Sequence, residues 1–192
     1  MLLFTTLTAL LLPAVTPTLL LNTAIPSVIS QASTQDATTD DYEDIIRLLS
    51  GKKGNEQLVI KLSDKVLTIN PQDASAYYNR GVAKSDLGDK QGAIADYSQA
   101  IAINPQDANA YHNRGFAKSD LADKQGAIAD FNQSIAINPQ NANAYTNRGA
   151  AKFDLGDKQG SCLDYKKAVT LGHTSTFQWL QSKDGIWCRN MP

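Results

Sequence analysis

Hydrophobic side chains recur along this chain at intervals of three and four residues. The clearest run consists of Ala93, Ile94, Tyr97, Ala100 and Ile101. This spacing predicts a helix with one buried face. The run ends before an Asn-Pro pair, and proline predicts the end of the helix because it lacks a backbone N–H.

The same pattern returns at a fixed distance along the chain. Pro71, Pro105 and Pro139 set a period of thirty-four residues, and residues 74–107 are rewritten almost unchanged in residues 108–141. A more diverged third copy follows in residues 142–173. Each copy has room for two helices joined by a tight turn.

Polar residues and glycine mark where these helices begin and end. Asp73, Asp107 and Asn141 can cap the first helix of each copy through a side-chain oxygen. Gly88 suits the left-handed turn after the first helix of copy one, and Ala122 stands at the same place in copy two. Alanine is expected to fit that turn less comfortably than glycine.

The period and its internal pattern resemble the tetratricopeptide repeat, a helix-turn-helix unit that stacks into a superhelix. The family's two aromatic positions hold Tyr77, Tyr111 and Tyr145, and then Tyr97, Phe131 and Tyr165. Its three small positions hold Gly81, Gly115 and Gly149; Ala93, Ala127 and Ser161; and Ala100, Ser134 and Ala168. Its proline position holds Pro105, Pro139 and, as a departure, His173. The resemblance implies an all-α fold, a right-handed α-solenoid of stacked helix pairs.

Two positions depart from the family in every copy. The usual leucine at the seventh position is replaced by Arg80, Arg114 and Arg148, and the aromatic at the eleventh by Lys84, Lys118 and Lys152. Antiparallel helices bring the seventh and twenty-third positions to the same level. We therefore predict salt bridges within each repeat, from these arginines to Asp96, Asp130 and Asp164. Fully exposed pairs of this kind would contribute up to about 1 kcal/mol each.

The segments on either side of the repeats are less regular. Residues 40–73 keep the register, because a shift of thirty-four residues aligns Gly54 with Gly88 and Pro71 with Pro105. These residues predict a degenerate N-terminal helix pair. Atypical terminal repeats are expected in solenoids because one of their faces has no neighbour. Residues 174–192 predict a C-terminal capping helix, carrying Phe177, Leu180 and Trp179 and packed on the second helix of copy three, and a tail.

The N-terminal part of the chain has a different composition. Residues 1–35 contain no charged side chain and are strongly apolar, and Ser30 and Ala32 have the small-x-small spacing of a signal-peptidase site. We interpret residues 1–32 as a signal peptide and residues 33–39 as a linker, which predicts export to the periplasm, a lumen or the extracellular space. The alternative is an uncleaved anchor that tethers the same domain to the membrane.

Two cysteines are present, Cys162 and Cys188. In an oxidising compartment an even count favours a disulfide, which would join the capping segment to the last copy. In the chain-entropy model, closing this loop stabilises the fold by about 3–4 kcal/mol. The alternative is two unpaired thiols.

Charge and motifs argue against several functions. The formal net charge is −1, so the chain lacks the basic surface typical of nucleic-acid binders. His112 and His173 lack partners at metal-ligand spacing and are interpreted as polar surface residues. We find no phosphate loop or nucleophile elbow, and we expect no catalytic residue, no metal, no cofactor and no small-molecule substrate.

In the resembling family, the first helices line a concave groove that contacts ligands. Carried over by position, the predicted groove residues are Tyr78, Asn79, Val82, Asp86, Asn109, His112, Asn113, Phe116, Asp120, Asn143, Asn147 and Phe153. The same family positions also hold Ser75, Ser85, Ser119, Thr146, Ala150 and Asp154. The recurrent asparagines could bond the backbone of an extended peptide, or could satisfy neighbouring helices.

The sequence therefore predicts a non-enzymatic scaffold that binds a peptide or partner protein in its groove. One subfamily clamps a terminal carboxylate with cations, but Asn143 and Asn147 stand where the cations are needed, which excludes that ligand. The row of Asp86, Asp120 and Asp154 favours a basic or neutral partner. Two alternatives are a self-associating structural solenoid, which would form homo-oligomers, and, less favoured, the targeting domain of an enzyme complex. The uniform copies resemble those of exported bacterial proteins, especially cyanobacterial ones.

Overall fold

The computed structural model describes residues 39–49 and 52–191, so the predicted signal peptide and most of the predicted linker lie outside the described residues. All regular elements within these ranges are helices. In chain order they are α1 (Thr39–Leu49), α2 (Glu56–Ile69), α3 (Ala74–Asp86), α4 (Lys90–Ile103), α5 (Ala108–Asp120), α6 (Lys124–Ile137), α7 (Ala142–Asp154), α8 (Lys158–Thr170), α9 (Thr174–Gln181) and α10 (Ile186–Arg189).

The helices stack in the order of the chain. From α1 to α9 each helix packs mainly against the next one, and the first helices α3, α5 and α7 also touch across successive copies. This is the α-solenoid that the repeats predict. We call α3–α4 repeat one, α5–α6 repeat two and α7–α8 repeat three.

The first helices begin where the sequence predicts. Asp73 accepts a hydrogen bond from the backbone N–H of Ala76, Asp107 from those of Asn109 and Ala110, and Asn141 from that of Ala144. Each bond satisfies a donor that the first turn of a helix leaves without a backbone partner. The predicted caps are confirmed.

The turns inside the repeats are left-handed. Gly88 has φ +87° and Gly156 has φ +86°, whereas Ala122 adopts φ 66° at the same place in repeat two. A side chain with a Cβ is disfavoured in this region by about 1–2 kcal/mol. The expected left-handed turn at Ala122 is confirmed, and its energetic cost stays a prediction.

A close approach of the two helices in each repeat depends on glycine. A Cβ added to Gly81 would lie 2.8 Å from Cε1 of Tyr97. Tyr97 and Phe131 are among the most deeply buried side chains, and they fill the space that the small residues leave. The family's small residue on the first helix and its aromatic residue on the second helix therefore pack directly against each other.

The two ends of the stack are built differently. At the N-terminal end, α1 and α2 enclose a hydrophobic cluster with Ala76 and Ala83 of α3. At the C-terminal end, α9 and α10 pack on α8, and the rings of Tyr165, Trp179 and Trp187 pack against a buried cluster of Cys162, Leu180 and Cys188.

The C-terminal cap differs from the sequence prediction in two respects. Phe177, expected on the packed face of the capping helix, is 50% exposed. A further short helix, α10, follows α9, and it places Cys188 against Cys162 in disulfide geometry with Cα atoms 5.2 Å apart. Formation of the bond in the exported protein remains a prediction.

Candidate functional site

The three first helices α3, α5 and α7 carry the predicted groove residues. Asp86, Asn109, Phe116, Asp120, Asn143 and Phe153 are exposed, whereas Tyr78, Asn79, Val82, His112, Asn113 and Asn147 are half-buried. The half-buried set includes the side chains that hydrogen-bond between successive first helices, Tyr78, His112, Asn113 and Asn147. We call the half-buried set the floor of the groove, and the exposed set lies above it.

Two hydrogen bonds join successive first helices along this floor. Asn113 Nδ2 donates to Tyr78 Oη at 3.0 Å, and one repeat later Asn147 Nδ2 donates to His112 Nε2 at 3.0 Å. Of the two readings of the recurrent asparagines, these bonds favour the structural one for Asn113 and Asn147. Asn79 lines a shallow depression with Val82 and Asp86, beside α2.

His112 is not the polar surface residue that the sequence suggested. Its ring is half-buried and packs on Phe131 with centroids 5.7 Å apart. Because the Asn147 amide can only donate to Nε2, the ring proton sits on Nδ1 and is donated to Asn113 Oδ1 at 3.2 Å. The prediction failed because the ring packs on Phe131 of its own repeat and also bonds Asn147 of the next repeat, a contact that the local sequence does not show.

Burial sets the protonation of this ring. Loss of hydration lowers the pKa of His112 below its ordinary value, and the hydrogen bond with Asn113 offsets part of that effect. Burial also raises the pKa of Tyr78. Both side chains are therefore neutral near pH 7, in keeping with their hydrogen-bonding roles.

The predicted salt bridges within the repeats are confirmed, and they are more buried than expected. Arg114 Nε and Nη2 donate to the two oxygens of Asp130 at 2.9 and 2.7 Å, and the carboxylate side chain is 5% exposed. The guanidinium also lies over the ring of Tyr111, 5.6 Å from its centroid. The other two repeats repeat this geometry with Arg80–Asp96 and Arg148–Asp164.

Each arginine also reaches back to the preceding repeat. The Nη1 atoms donate to Asp64 Oδ1 at 2.6 Å from Arg80, to Ser98 Oγ at 3.1 Å from Arg114, and to Asn132 Oδ1 at 2.7 Å from Arg148. One guanidinium thus ties its own second helix to the second helix before it. These hydrogen bonds join each repeat to the one before it.

The lysines at the eleventh position complete these clusters. Lys118 Nζ lies 2.8 Å from Asp130 Oδ2, and Lys84 and Lys152 make the same contact with Asp96 and Asp164. We call each Arg-Asp-Lys cluster a brace. Sequence reasoning missed the lysines, although their recurrence beside the arginines was a visible signal.

The acidic row in the groove is mostly neutralised. Lys90 Nζ lies 3.1 Å from Asp120, and Lys124 Nζ lies 2.8 Å from Asp154, in each case across a repeat boundary. Glu56 occupies the place that these lysines hold in the later repeats, and Asp86 makes no ion pair in the part of the chain that is described. Only the first member of the row therefore keeps its charge available to a partner.

Phe116 is the most accessible aromatic group on the first helices. It is 45% exposed and lies under Lys90, whose Nζ is 5.6 Å from the ring centroid. The equivalent positions hold Val82 in repeat one and Ala150 in repeat three. Phe153, also 41% exposed, packs on Trp187 of the cap with centroids 5.2 Å apart.

A cleft of about 230 Å³ opens beside Phe116. It is lined by Val82, Ser85, Asp86, Lys90, Tyr97, Asn113 and Phe116. Lys90 Nζ also donates to Ser85 Oγ at 3.0 Å, so the side chains around the cleft are held in place by one another. The cleft brings together four of the predicted groove residues, Val82, Asp86, Asn113 and Phe116.

His173 has a local role that its position in the repeat did not suggest. Its Nδ1 accepts a hydrogen bond from the backbone N–H of Thr176 at 3.2 Å and caps α9. Across the described residues, no group of three or more His, Cys, Asp and Glu side chains is placed to hold a metal ion. In the same ranges, every helix is too short or too polar to cross a membrane.

The comparisons with known proteins agree with the repeat architecture. A family model described as a TPR repeat matches residues 84–121 and 125–156. The comparison with curated protein sequences finds no match.

Solved structures titled as MamA share the fold. One matches with TM-score 0.73 and 23% identity, covering 81% of this chain and 90% of that one. A second matches with TM-score 0.72 and 24% identity, covering 80% and 83%. A third, residues 41 to the end of MamA from Desulfovibrio magneticus RS-1, has TM-score 0.72 and 18% identity over 80% and 86%. At these identities the likeness shows the fold alone.

Proposed function

We propose that this chain, a tetratricopeptide repeat protein, is a non-enzymatic scaffold that holds a peptide or a segment of a partner protein in its groove. The observation that carries the proposal is Phe116, which is 45% exposed beside a cleft of about 230 Å³ on the concave first helices. A large aromatic side chain at the centre of a cleft is the kind of residue that dominates binding energy at interfaces.

The surroundings of Phe116 support a prepared binding surface. The first helices are joined by the Tyr78–Asn113 and His112–Asn147 hydrogen bonds, and the braces hold the second helices behind them. A partner would therefore not have to order the groove on binding, which lowers the entropic cost of association. Specificity would reside where the repeats differ, at Val82, Phe116 and Ala150.

The charges of the groove favour a neutral or basic partner. Asp120 and Asp154 are already paired with lysines, and Asp86 offers its carboxylate without an ion pair in the described part of the chain. A cationic side chain next to an apolar one would satisfy Asp86 and cover Phe116 together. The weak net charge gives no support for a nucleic-acid partner.

The proposed location is an exported one, with tethering by an uncleaved N-terminal segment as the alternative. The uncharged apolar residues 1–35 support a signal peptide, and the pairing geometry of Cys162 with Cys188 suits an oxidising compartment. Fractionation of cells and N-terminal sequencing test this point. A cytosolic protein that begins at Met1 would contradict it.

Site-directed photocrosslinking tests the groove directly. A benzoylphenylalanine at position 116 should capture one partner repeatedly, and the same group at position 163 should not. Leu163 is a matched control because it is 58% exposed but lies on the second helix α8. Once the captured partner is identified, Phe116→Ala should weaken its binding at least tenfold, on the order of a single hot-spot residue, while Leu163→Ala leaves the affinity unchanged.

Two results would reject the groove as the binding surface. One is equal capture from positions 116 and 163, and the other is equal affinity of the Phe116→Ala and Leu163→Ala proteins for the captured partner. The recurrent asparagines are unsuitable for this test, since Asn113 and Asn147 hold the repeats together.

Self-association is the second candidate, and a specific observation favours it. Phe177 and Ile186, both in the C-terminal cap, are 50% and 45% exposed. Apolar side chains exposed at the open end of a solenoid can bury themselves against another copy. Sedimentation at increasing concentration separates the two candidates, because a concentration-independent monomer would exclude self-association.

A further inference from the structure

An internal comparison of the three repeats shows one aromatic ring that is missing from the groove. In repeat one, Tyr78 packs on Tyr97 with centroids 5.9 Å apart, and in repeat two His112 packs on Phe131 at 5.7 Å. The same register position in repeat three is Thr146, opposite Tyr165. Threonine cannot supply the ring that the first two repeats place there.

A cavity occupies this part of the groove. It measures about 270 Å³ and is lined by Thr146, Tyr165, His173, Ser175, Thr176 and Trp179. Trp179 of the cap contacts Tyr165 at 4.8 Å between centroids, and both rings still line the open space. The volume is at the lower limit of small-ligand sites, which suits one side chain better than a larger molecule.

The cavity also has polar groups that the fold leaves available. His173 Nδ1 accepts the capping bond from Thr176, so in the neutral ring the proton is on Nε2, and that N–H has no hydrogen-bond partner among the described residues. The hydroxyl of Ser175 is likewise without a partner in the described part of the chain, and Thr146 and Thr176 bond each other at 3.1 Å. The lining carries no carboxylate and no ammonium group.

We propose that this cavity is a recognition pocket for one aromatic side chain with a polar edge, a tyrosine of the bound partner. The ring would pack on Tyr165 and Trp179 as Tyr78 packs on Tyr97. Its hydroxyl would accept a hydrogen bond from His173 Nε2 or pair with Ser175. The same position in repeats one and two holds an aromatic ring with a polar edge, the phenol of Tyr78 and the imidazole of His112.

This inference rests on the proposed groove function, and it names the part of the partner that the C-terminal end of the groove would hold. The pocket lies between α7 and α9, next to the Asn147–His112 bond. A peptide that follows the groove from Phe116 towards the cap would reach it.

The test uses a probe that needs no knowledge of the partner. N-acetyl-tyrosinamide is titrated into the full chain and followed by NMR and by tryptophan fluorescence, with N-acetyl-leucinamide as the aliphatic comparison. We expect saturable binding of the tyrosine probe with Kd on the order of 1 mM, as for a single well-buried side chain. Shifts should map to Thr146, Trp179 and their neighbours.

Variants at position 146 decide whether the cavity is the site. Thr146→Tyr copies repeat one and places a ring in the space, so it should weaken the probe by more than about tenfold. Leu163→Ala changes an exposed side chain outside the cavity lining and should bind the probe as the wild type does. If Thr146→Tyr fails to fold, Thr146→His copies repeat two and serves in its place.

Several outcomes would overturn the pocket. These are no binding of the tyrosine probe, binding that Thr146→Tyr leaves unchanged, or equal binding of the leucine probe. Probe affinity that falls as protein concentration rises would assign the cavity to a second copy of the chain instead. Crosslinking at position 116 is independent of these results, so the pocket can fail while the proposed function stands, and the reverse.

Discussion

Removal of the buried carboxylate in the middle brace should be among the most destabilising single changes in the protein. Asp130 accepts two hydrogen bonds from Arg114 and one contact from Lys118, all between 2.7 and 2.9 Å, and its side chain is 5% exposed. Asp130→Ala leaves two cations beside an apolar repeat interior. The effect extends to the preceding repeat, since Arg114 also bonds Ser98 in repeat one.

The structure sets the size of the effect. Removing one partner of a buried ion pair costs about 3–5 kcal/mol. The side chains of Arg114 and Lys118 are 18% and 23% exposed, so water can reach the orphaned cations in part. We therefore expect a loss near the lower limit, about 3 kcal/mol of unfolding free energy.

Urea denaturation of matched variants measures this loss. Asp120→Ala is the control, because Asp120 also pairs with a lysine but its side chain is 38% exposed. Exposed pairs contribute at most about 1 kcal/mol. In a double-mutant cycle, Arg114→Ala combined with Asp130→Ala should cost less than the two single losses together, because each single change strands a charge. Equal losses for Asp130→Ala and Asp120→Ala, or a strictly additive cycle, would refute the reasoning.

Three further changes test other parts of the structure. His112→Tyr should make stability less dependent on pH. Burial lowers the pKa of the folded imidazole, so at low pH the unfolded chain binds a proton that the folded chain does not. The wild type therefore loses stability as pH falls below about 6.5 and keeps it above that pH. Parallel urea midpoints of wild type and His112→Tyr between pH 5 and pH 7.5 would contradict this. Ala122→Gly should stabilise the chain by about 1 kcal/mol, because glycine tolerates the φ of 66°, and an unchanged melting temperature would show that the turn is not strained. Cys188→Ser should cost about 3 kcal/mol in oxidising conditions and nothing in reducing ones, and alkylation of both cysteines without reductant would show that the bond does not form.

The sequence predicted those features that depend on contacts inside one repeat. The left-handed turn at Ala122 and the pairing of Arg114 with Asp130 follow from residues of one copy, and Asp73 and Asp107 stand directly before the helices that they cap. Their distances along the chain are short, and the antiparallel geometry of a helix pair fixes which positions meet.

Contacts between repeats were not predictable in the same way. His112 bonds Asn147, thirty-five residues away, and Asp120 forms an ion pair with Lys90 of the preceding repeat. These pairs depend on the angle at which one repeat stacks on the next, and composition does not reveal that angle. The exposure of Phe177 has a similar cause, since the cap departs from the thirty-four-residue register and begins its helix at Thr174.

The backward reach of the arginines has a consequence for how such an array changes length. Repeats one and two each contain an arginine that bonds the preceding helix pair and a polar side chain, Ser98 or Asn132, that accepts the arginine of the next repeat. A duplicated copy would therefore already contain both the arginine donor and the polar acceptor that its two neighbours require. The array can lengthen or shorten by whole copies of this kind without a new type of contact. Only the helix pairs at its two ends, α1–α2 and α9–α10, need sequences of their own.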